Sequence, residues 1–393
     1  MVSVTLPTRE GQTEAFKLSE PRAFEPTPLA SMPRIAYAAS HIVADPSQDV
    51  DPWLDTAIDW DATLNYRRYL WSLGLGVAEA MDTAQRGMGM DWENSIELIR
   101  RSIDASQDYS RENGVQALLA SGVGTDHLEP SADVGLDDVI AAYEYQCDAV
   151  EEAGGRIVLM ASRALTKAAR GPEDYARVYE RILSQVKEPV IIHWLGEMFD
   201  PALQGYWGDD DHLEAMKTCL EIINAHTHKV DGVKVSLLDK DKEVIMRRQL
   251  ASGVRMYTGD DFNFPELIAG DEEGHSDALL GIFDAIAPAA SAALGAMGRQ
   301  DMAEYHEILQ PTLALSRHIF KAPTRFYKTG IVFLAYLNGM QDHFLVVGGQ
   351  EGTRSTLHLA ELFRLADSAG LLRDPEEAAR RMSLVMNVHG VVH

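Results

Sequence analysis

The stretch GVKVSLLD, residues 232–239, places a lysine in the middle of an apolar run. Lys234 lies between Val233 and Val235. Short runs that are apolar on both faces are typical of parallel strands covered by helices. Because an unpaired buried ammonium is expensive, a lysine inside such a strand is nearly always paired or functional. The segment therefore predicts a covered parallel sheet that contains an ion-paired or reactive amine.

Similar apolar runs recur along the chain and alternate with stretches of helical length. The eight runs begin at Ile35, Leu73, Val115, Arg156, Pro189, Gly232, Val254 and Asp277. Between two of them, residues 175–186 are apolar at helical spacing, and Pro172 suits the start of a helix. Eight β/α units over about residues 34–290 predict a (β/α)8 TIM barrel. A doubly wound sheet is the alternative, but it normally has fewer strands and a glycine-rich phosphate turn, and GLGVAE from Gly74 does not match that turn.

Two segments lie outside the predicted barrel. Residues 1–33 contain five prolines and predict an irregular N-terminal arm. Residues 291–393 have the apolar spacing of helices and predict a C-terminal helical extension packed on the barrel.

Composition excludes several classes of protein. The chain is 46% hydrophobic and 24% charged, as an ordinary globular protein is, with a net charge of −25. So negative a surface repels phosphate backbones and anionic lipids, which argues against nucleic-acid and membrane partners. Two cysteines cannot form a disulfide framework, and the sequence contains neither a signal-peptide pattern nor a transmembrane-length apolar run. We therefore expect a cytoplasmic protein.

The predicted barrel indicates where a site would lie, because the reactive groups of such folds are at the carboxyl ends of the strands. Burial lowers the pKa of a lysine, and the resulting neutral amine can attack a ketone and form a Schiff base. The alternative for Lys234 is an ion pair with Asp260 or Asp261. The segment TGDD from Thr258 offers groups for a polar ligand, although a turn or a helix N-cap is equally compatible with it.

Histidines and carboxylates near the predicted strand ends also allow a metal site. The candidate ligands are His41, Glu79, Asp126 and His193. Such side chains bind Zn²⁺ or Mn²⁺, and on this barrel they would make a metal-dependent aldolase, isomerase or epimerase. None of them has a tight ligand spacing such as HxH or HExxH.

Five segments, in order over roughly residues 34–340, resemble the dihydrodipicolinate synthase and N-acetylneuraminate lyase superfamily. GVKVSLLD resembles the family's GIKEASGD strand, TGDD resembles its SGDD, and PVIIHW from Pro189 resembles its P-x-I-L-Y-N strand. The remaining two segments are EGHSDALLGIF from Glu273, which is similar to GGxGxIS, and FYKTG from Phe326, which is similar to P-V-K-x-A.

The resemblance implies a lyase of the class I aldolase type that uses no cofactor and acts on a keto acid or a sugar-derived keto compound. Lys234 occupies the position of the family's Schiff-base lysine. His193 occupies that of the tyrosine that shuttles protons, and a histidine can do the same near neutrality. Glu79 matches the family's glutamate, whereas the two threonines that hold the pyruvate carboxylate are absent.

The predicted site follows from these matches. The substrate-binding candidates are Glu79, Arg163, Ser236, Thr258, Asp260, Asp261 and Gly281. The resemblance also implies a small-molecule substrate and a homo-oligomer, either a dimer or a tetramer. The missing threonines leave open a third possibility, a barrel that binds a keto compound without converting it.

Overall fold

The structure is a computed structural model that describes residues 2–391. The strands, in chain order, are β1 (Ser3–Pro7), β2 (Thr13–Lys17), β3 (Ala36–Ala39), β4 (Gly76–Glu79), β5 (Leu119–Val123), β6 (Ile157–Leu159), β7 (Val190–Leu195), β8 (Val230–Ser236), β9 (Arg255–Thr258) and β10 (Asp277–Leu280). The helices are α1 (Trp60–Ser72), α2 (Trp92–Asn113), α3 (Leu136–Glu152), α4 (Arg163–Ala168), α5 (Pro172–Gln185), α6 (His212–Ala225), α7 (Lys240–Arg247), α8 (Phe264–Ala269), α9 (Ile282–Ala285), α10 (Ala287–Gly298), α11 (Met302–Ile319), α12 (Tyr327–Leu337), α13 (Thr356–Ser368) and α14 (Pro375–Val388).

Eight of the strands form a closed parallel barrel in the order β10-β3-β4-β5-β6-β7-β8-β9. Seven of these strands lie within one of the eight apolar runs, and β8 begins two residues before its run, so the predicted (β/α)8 barrel is confirmed. Closure of the sheet excludes the doubly wound alternative.

The chain forms two compact units. The barrel unit consists of Arg34–Ser40 and Leu75–Gly281 and contains all eight barrel strands. The second unit consists of the described parts of Met1–Pro33, His41–Gly74 and Ile282–His393. This division differs from the predicted one because it groups residues 41–74 with the C-terminal helices. The packing of residues 291–393 on the barrel stays a prediction.

Strand alternation in the barrel unit separates an inner face from an outer face. Ala78, Ile191 and Tyr257 belong to one buried apolar cluster that draws on seven of the strands and the residues that follow them, and this cluster fills the barrel interior. Successive side chains of a strand point to opposite faces, so His193 shares the inner face with Ile191. Lys234 pairs with His193 on one side and with Tyr257 on the other, which places it on the inner face as well.

Local sequence signals determine where the barrel helices begin and end. The carboxylate of Asp91 accepts a hydrogen bond from the backbone N–H of Asn94 and caps the start of α2. Gly114 ends that helix at φ +67°, in the left-handed region that glycine tolerates best. Pro172 is the first residue of α5, as predicted.

The second unit begins with a hairpin, which corrects the prediction of an irregular arm. β1 and β2 pair antiparallel, and Gly11 adopts φ +75° in the turn between them. Val4 and Leu6 alternate with more exposed residues and are buried, so residues 3–7 have the pattern of a half-buried strand. The prolines that suggested irregularity lie mostly after the hairpin.

Among residues 2–391, no helix combines the length and the apolar character needed to cross a membrane.

Candidate active site

Lys234 lies in the interior of the barrel near the carboxyl end of β8. The residue is only 7% exposed, and its neighbours Val233 and Val235 are buried on the outer face. Gly232, two residues earlier, makes room for the ring of Tyr257, because a Cβ at that position would lie 2.7 Å from the ring. The inner face of β8 therefore has no side chain at position 232 and a long one at Lys234.

The charge of Lys234 is only loosely compensated. Burial lowers the pKa of this amine below its usual value, and the negative charges of Asp82 and Asp261 oppose that shift. Among residues 2–391, neither Asp260 nor Asp261 forms an ion pair within 4 Å of Lys234, although that pairing was the alternative suggested by the sequence. Desolvation without a close partner leaves a larger fraction of neutral amine at neutral pH.

His193 faces Lys234 from the neighbouring strand. It is fully buried, and its Nε2 lies 3.2 Å from the hydroxyl oxygen of Ser236. Its Nδ1 has no hydrogen-bond partner in the described part of the chain. Burial, and then the positive charge of Lys234, hold the pKa of His193 well below its usual value. The imidazole is therefore neutral at neutral pH and can accept a proton.

Gly259 holds the carboxyl end of β9 against these groups. A Cβ at this position would lie 2.2 Å from the Ser236 hydroxyl and 2.9 Å from Cε of Lys234. Only a residue without a side chain allows this approach, and the next two residues are Asp260 and Asp261. The structure thus brings together Lys234, His193 and Ser236, with the charge of Asp261 acting on the amine.

Two of the predicted site residues at the carboxyl end of β9 form their hydrogen bonds elsewhere. The hydroxyl of Thr258 donates to Glu243 of α7 at 2.8 Å, on the outer side of the barrel. The carboxylate of Asp260 accepts hydrogen bonds from the backbone N–H groups of Phe262 and Asn263 and so caps the following turn. Burial raises the pKa of Asp260, although these hydrogen bonds oppose the shift.

Glu79 also points away from the barrel interior. Its carboxylate accepts a hydrogen bond from the hydroxyl of Ser102 on α2 at 2.6 Å and from the backbone N–H of Ala80 at 2.8 Å. Gly281 is buried and directly follows β10. The structure therefore does not bring Glu79 or the Thr258 hydroxyl to Lys234.

A cavity of about 90 Å³ lies at the carboxyl ends of β5, β6 and β7. His193 and Asp82 line it, so it adjoins the groups around Lys234. Arg163 lines it too and pairs with Asp200 at 2.5 Å while keeping 40% of its side chain exposed. Asp82 was not among the site residues predicted from the sequence. Its position three residues after the end of β4 was the available signal.

The proposed metal ligands each have their own partner. Arg86 and Gln146 bind the carboxylate of Asp126. Burial would raise the pKa of Asp126, but the charge and hydrogen bonds of Arg86 outweigh it and the pKa is lowered. In the second unit, Nδ1 of His41 lies 2.8 Å from the carboxylate of Asp284. Within residues 2–391, no group of three or more histidine, cysteine or acidic side chains is arranged to hold a metal ion.

Solved structures with the same fold are dihydrodipicolinate synthases. The enzyme from Aquifex aeolicus superposes with a TM-score of 0.62 at 12% identity, over 87% of this chain and 100% of that one. The enzyme from Oceanobacillus iheyensis superposes with a TM-score of 0.61 at 13% identity, over 86% of this chain and 97% of that one. The Acinetobacter baumannii enzyme complexed with pyruvate superposes with a TM-score of 0.60 at 14% identity, over 86% of this chain and 99% of that one. At these identities the likeness confirms the fold that the sequence resemblance implied.

A family model described as "Protein of unknown function (DUF993)" matches residues 4–391. No curated protein matches the sequence.

Proposed function

We propose that this chain, which belongs to the DUF993 family of proteins of unknown function, is a lyase of the class I aldolase type that forms a Schiff base at Lys234. Its substrate is a keto acid or a sugar-derived keto compound. The observation that carries the proposal is a lysine inside the barrel with no ion pair within 4 Å in the described chain, next to a fully buried histidine whose Nδ1 has no hydrogen-bond partner there. The dihydrodipicolinate synthase fold supports it.

The first step would use the neutral form of the amine. Nζ of Lys234 attacks the carbonyl carbon of the substrate, and the carbonyl oxygen becomes the hydroxyl of a carbinolamine. Loss of that hydroxyl as water gives a protonated imine. In carbon–carbon cleavage, the imine accepts the electron pair of the bond that breaks, and the resulting enamine takes a proton at carbon to become an imine again. In carbon–oxygen cleavage, the imine accepts the electron pair of an adjacent C–H bond as a base removes the proton, and the resulting enamine expels the oxygen, which leaves as water with its own electron pair. Hydrolysis of the imine returns the free amine.

His193 would move the protons of these steps. As a neutral base it accepts the proton that the attacking amine loses, and it returns a proton to the hydroxyl that leaves as water. Ser236, 3.2 Å from Nε2, fixes the ring and can relay the proton. A lowered pKa suits this role, because the imidazole is unprotonated when the amine attacks.

Asp82 and Asp261 would stabilise the cationic intermediate. Their negative charges act on Lys234, and the protonated imine carries its positive charge at the same place. Asp82 also lines the cavity beside His193, where it can accept a hydrogen bond from a substrate hydroxyl. Arg163, partly exposed in this cavity, is the candidate contact for a substrate carboxylate.

Borohydride trapping tests the proposal. The protein is incubated with pyruvate and, separately, with a panel of keto acids and keto sugars. Pyruvate is included because it is the ligand in the crystal structure of the Acinetobacter baumannii enzyme. Reduction, digestion and mass spectrometry should then find an adduct on the peptide that contains Lys234. The mass of the adduct identifies the class of compound.

The same experiment separates the alternatives. A Lys234→Met variant should give no adduct, whereas Lys217→Met, which removes an exposed lysine, should be trapped like the wild type. No adduct with any compound, together with a metal found by elemental analysis, would favour a metal-dependent enzyme instead. No adduct and no metal, with saturable binding and no turnover, would favour a binding protein.

A further inference from the structure

The second unit contains a cavity of about 470 Å³ that the proposed reaction does not use. Its walls come from residues 21–26, from α1, from α12 and from the turn at residues 370–373. All of its lining residues belong to the second unit. The volume falls within the range of about 300–1,000 Å³ that is typical of small-molecule sites.

Most of the cavity wall is apolar. Phe24, Leu73, Leu334 and Leu371 contribute rings and branched chains, and Pro288 adds a rigid apolar edge. Surfaces of this kind bind the hydrocarbon part of a ligand by removing it from water. The occupant therefore has an apolar body.

The polar groups at the wall are mainly donors. The guanidinium of Arg373 lies over the ring of Tyr69, 5.7 Å from its centroid, and within residues 2–391 it forms no ion pair with a carboxylate. Its only side-chain hydrogen-bond contact in that range is a weak one to the sulfur of Met340 at 3.6 Å. Arg22 adds a second cation, whose partner Glu307 is largely exposed to solvent. Such an exposed pair is weak and can be exchanged for a ligand carboxylate.

Among residues 2–391, the one carboxylate at the wall is that of Asp284, and it already has hydrogen-bond partners within the protein. Asp284 is fully buried and accepts hydrogen bonds from the backbone N–H of His41 at 2.8 Å and from the hydroxyl of Tyr66 at 3.2 Å. Its oxygens also lie 2.8 and 3.0 Å from Nδ1 of His41. The acceptor positions of Asp284 are therefore directed at the protein, and the charge offered to a ligand comes from the two arginines.

We propose that this cavity is a second binding site, specific for a small organic monocarboxylate with an apolar body of one or two rings. The carboxylate binds the guanidinium of Arg373, with Arg22 nearby, in a charge-assisted hydrogen bond. The body packs against Phe24 and Leu334. This site is independent of Lys234 and does not depend on the proposed lyase activity.

Calorimetric titration with three probes of one shape tests the proposal. They are 1-naphthaleneacetate, its neutral amide, and the cationic 2-(1-naphthyl)ethylamine. The acid should bind at least about tenfold more tightly than the amide, because a charge-assisted hydrogen bond is stronger than a neutral one, and the amine should not bind, because its positive charge is repelled by the arginines. Arg373→Gln should weaken binding of the acid about tenfold or more and leave the amide unchanged. Arg299→Gln, at an exposed arginine paired with Glu304, is the matched control and should change neither.

A second pair of variants locates the site. Ala23 is exposed and lines the cavity, so Ala23→Trp should fill the space and abolish binding without disturbing a packed core. Lys234→Met should bind the acid as the wild type does. Equal affinity for all three probes, or no effect of both Arg373→Gln and Ala23→Trp, would overturn the proposal. Loss of binding in Lys234→Met would overturn it too and would place the acid in the barrel.

Discussion

Buried polar groups lie on both faces of β7, β8 and β9, and on these three strands the two faces differ in how the groups are paired. On the outer face of β9, the Glu243 carboxylate accepts hydrogen bonds from the hydroxyl groups of Thr258 and Ser276 at 2.8 and 2.7 Å. Inside, Lys234 has no ion pair within 4 Å and Nδ1 of His193 has no hydrogen-bond partner, within residues 2–391. A buried group with complete hydrogen bonds stabilises the fold, whereas an incomplete one costs free energy and marks a functional candidate.

The largest effect should come from the inner lysine. Lys234→Met removes the nucleophile, so turnover of the compound identified by trapping should fall at least about a thousandfold. The same change replaces a desolvated amine by an apolar chain of similar length. The free energy of unfolding, measured by chemical denaturation, should therefore stay the same or rise by about 1–3 kcal/mol.

Lys217→Met is the control for that variant, because it removes a surface lysine paired with Glu214 and should leave both turnover and stability unchanged. Full activity in Lys234→Met would refute the assignment of the nucleophile. Loss of stability together with loss of activity would instead place Lys234 among the structural groups of the barrel.

His193 should give the next largest effect. His193→Gln keeps a polar side chain beside Ser236 but cannot take up a proton, so turnover should fall about 10²–10⁴-fold. Because burial holds the pKa of His193 well below 6.5, wild-type turnover should be insensitive to this group at pH 7 and decline only under acidic conditions. Steady-state rates across pH check both expectations. A rate for His193→Gln within about twofold of the wild type would remove this residue from the mechanism.

A substitution at Gly259 tests whether the close approach of the chain after β9 positions Ser236 and Lys234. In Gly259→Ala, a Cβ placed 2.2 Å from the Ser236 hydroxyl must displace that group or Lys234. We expect borohydride trapping to slow about tenfold, since small displacements of reacting groups have large kinetic costs. Gly274→Ala is the matched control, because its Cβ would meet nothing closer than 3.9 Å. Equal trapping rates in both variants would show that the approach has no catalytic consequence.

The fold was more predictable than the site, and the reason lies in the strands. Parallel strands covered on both faces appear as apolar runs, so all eight could be found from sequence. The same property hides which face a polar residue occupies. Glu79 and Thr258 are the last residues of their strands, and His193 lies two residues before the end of β7. The hydrogen bonds of Glu79 to Ser102 and of Thr258 to Glu243 depend on helices whose positions the sequence periodicity does not predict.

Asp82 shows a second limit. It lies in a loop that leaves β4 through Ala80, which has φ +51° although it is not glycine. Sequence patterns do not predict a left-handed alanine, so the direction of this loop could not be anticipated. Lys234 was found because a charged residue inside an apolar run is conspicuous wherever its strand lies.

The smallest effect on turnover should come from the outer carboxyl group. Burial raises the pKa of Glu243 from 4.5 to about 8, so the folded protein binds a proton that the unfolded chain releases. For a raised pKa, the stabilising contribution is complete below about pH 4.5 and is lost as the pH rises through 8. Wild-type stability should therefore fall between these values, by on the order of 1 kcal/mol per pH unit.

Glu243→Gln tests this expectation because the amide is always neutral and can still bond to Thr258 and Ser276. Denaturation curves between pH 5 and 8 should be flatter than those of the wild type, while turnover stays unchanged. Glu273→Gln, at an exposed carboxylate, is the control and should keep the wild-type slope. If Glu243→Gln instead abolished turnover while its stability stayed intact, a hydrogen-bonded carboxyl group on the outer face would also contribute to catalysis. Complete hydrogen bonding would then no longer distinguish structural groups outside the barrel from functional groups inside it.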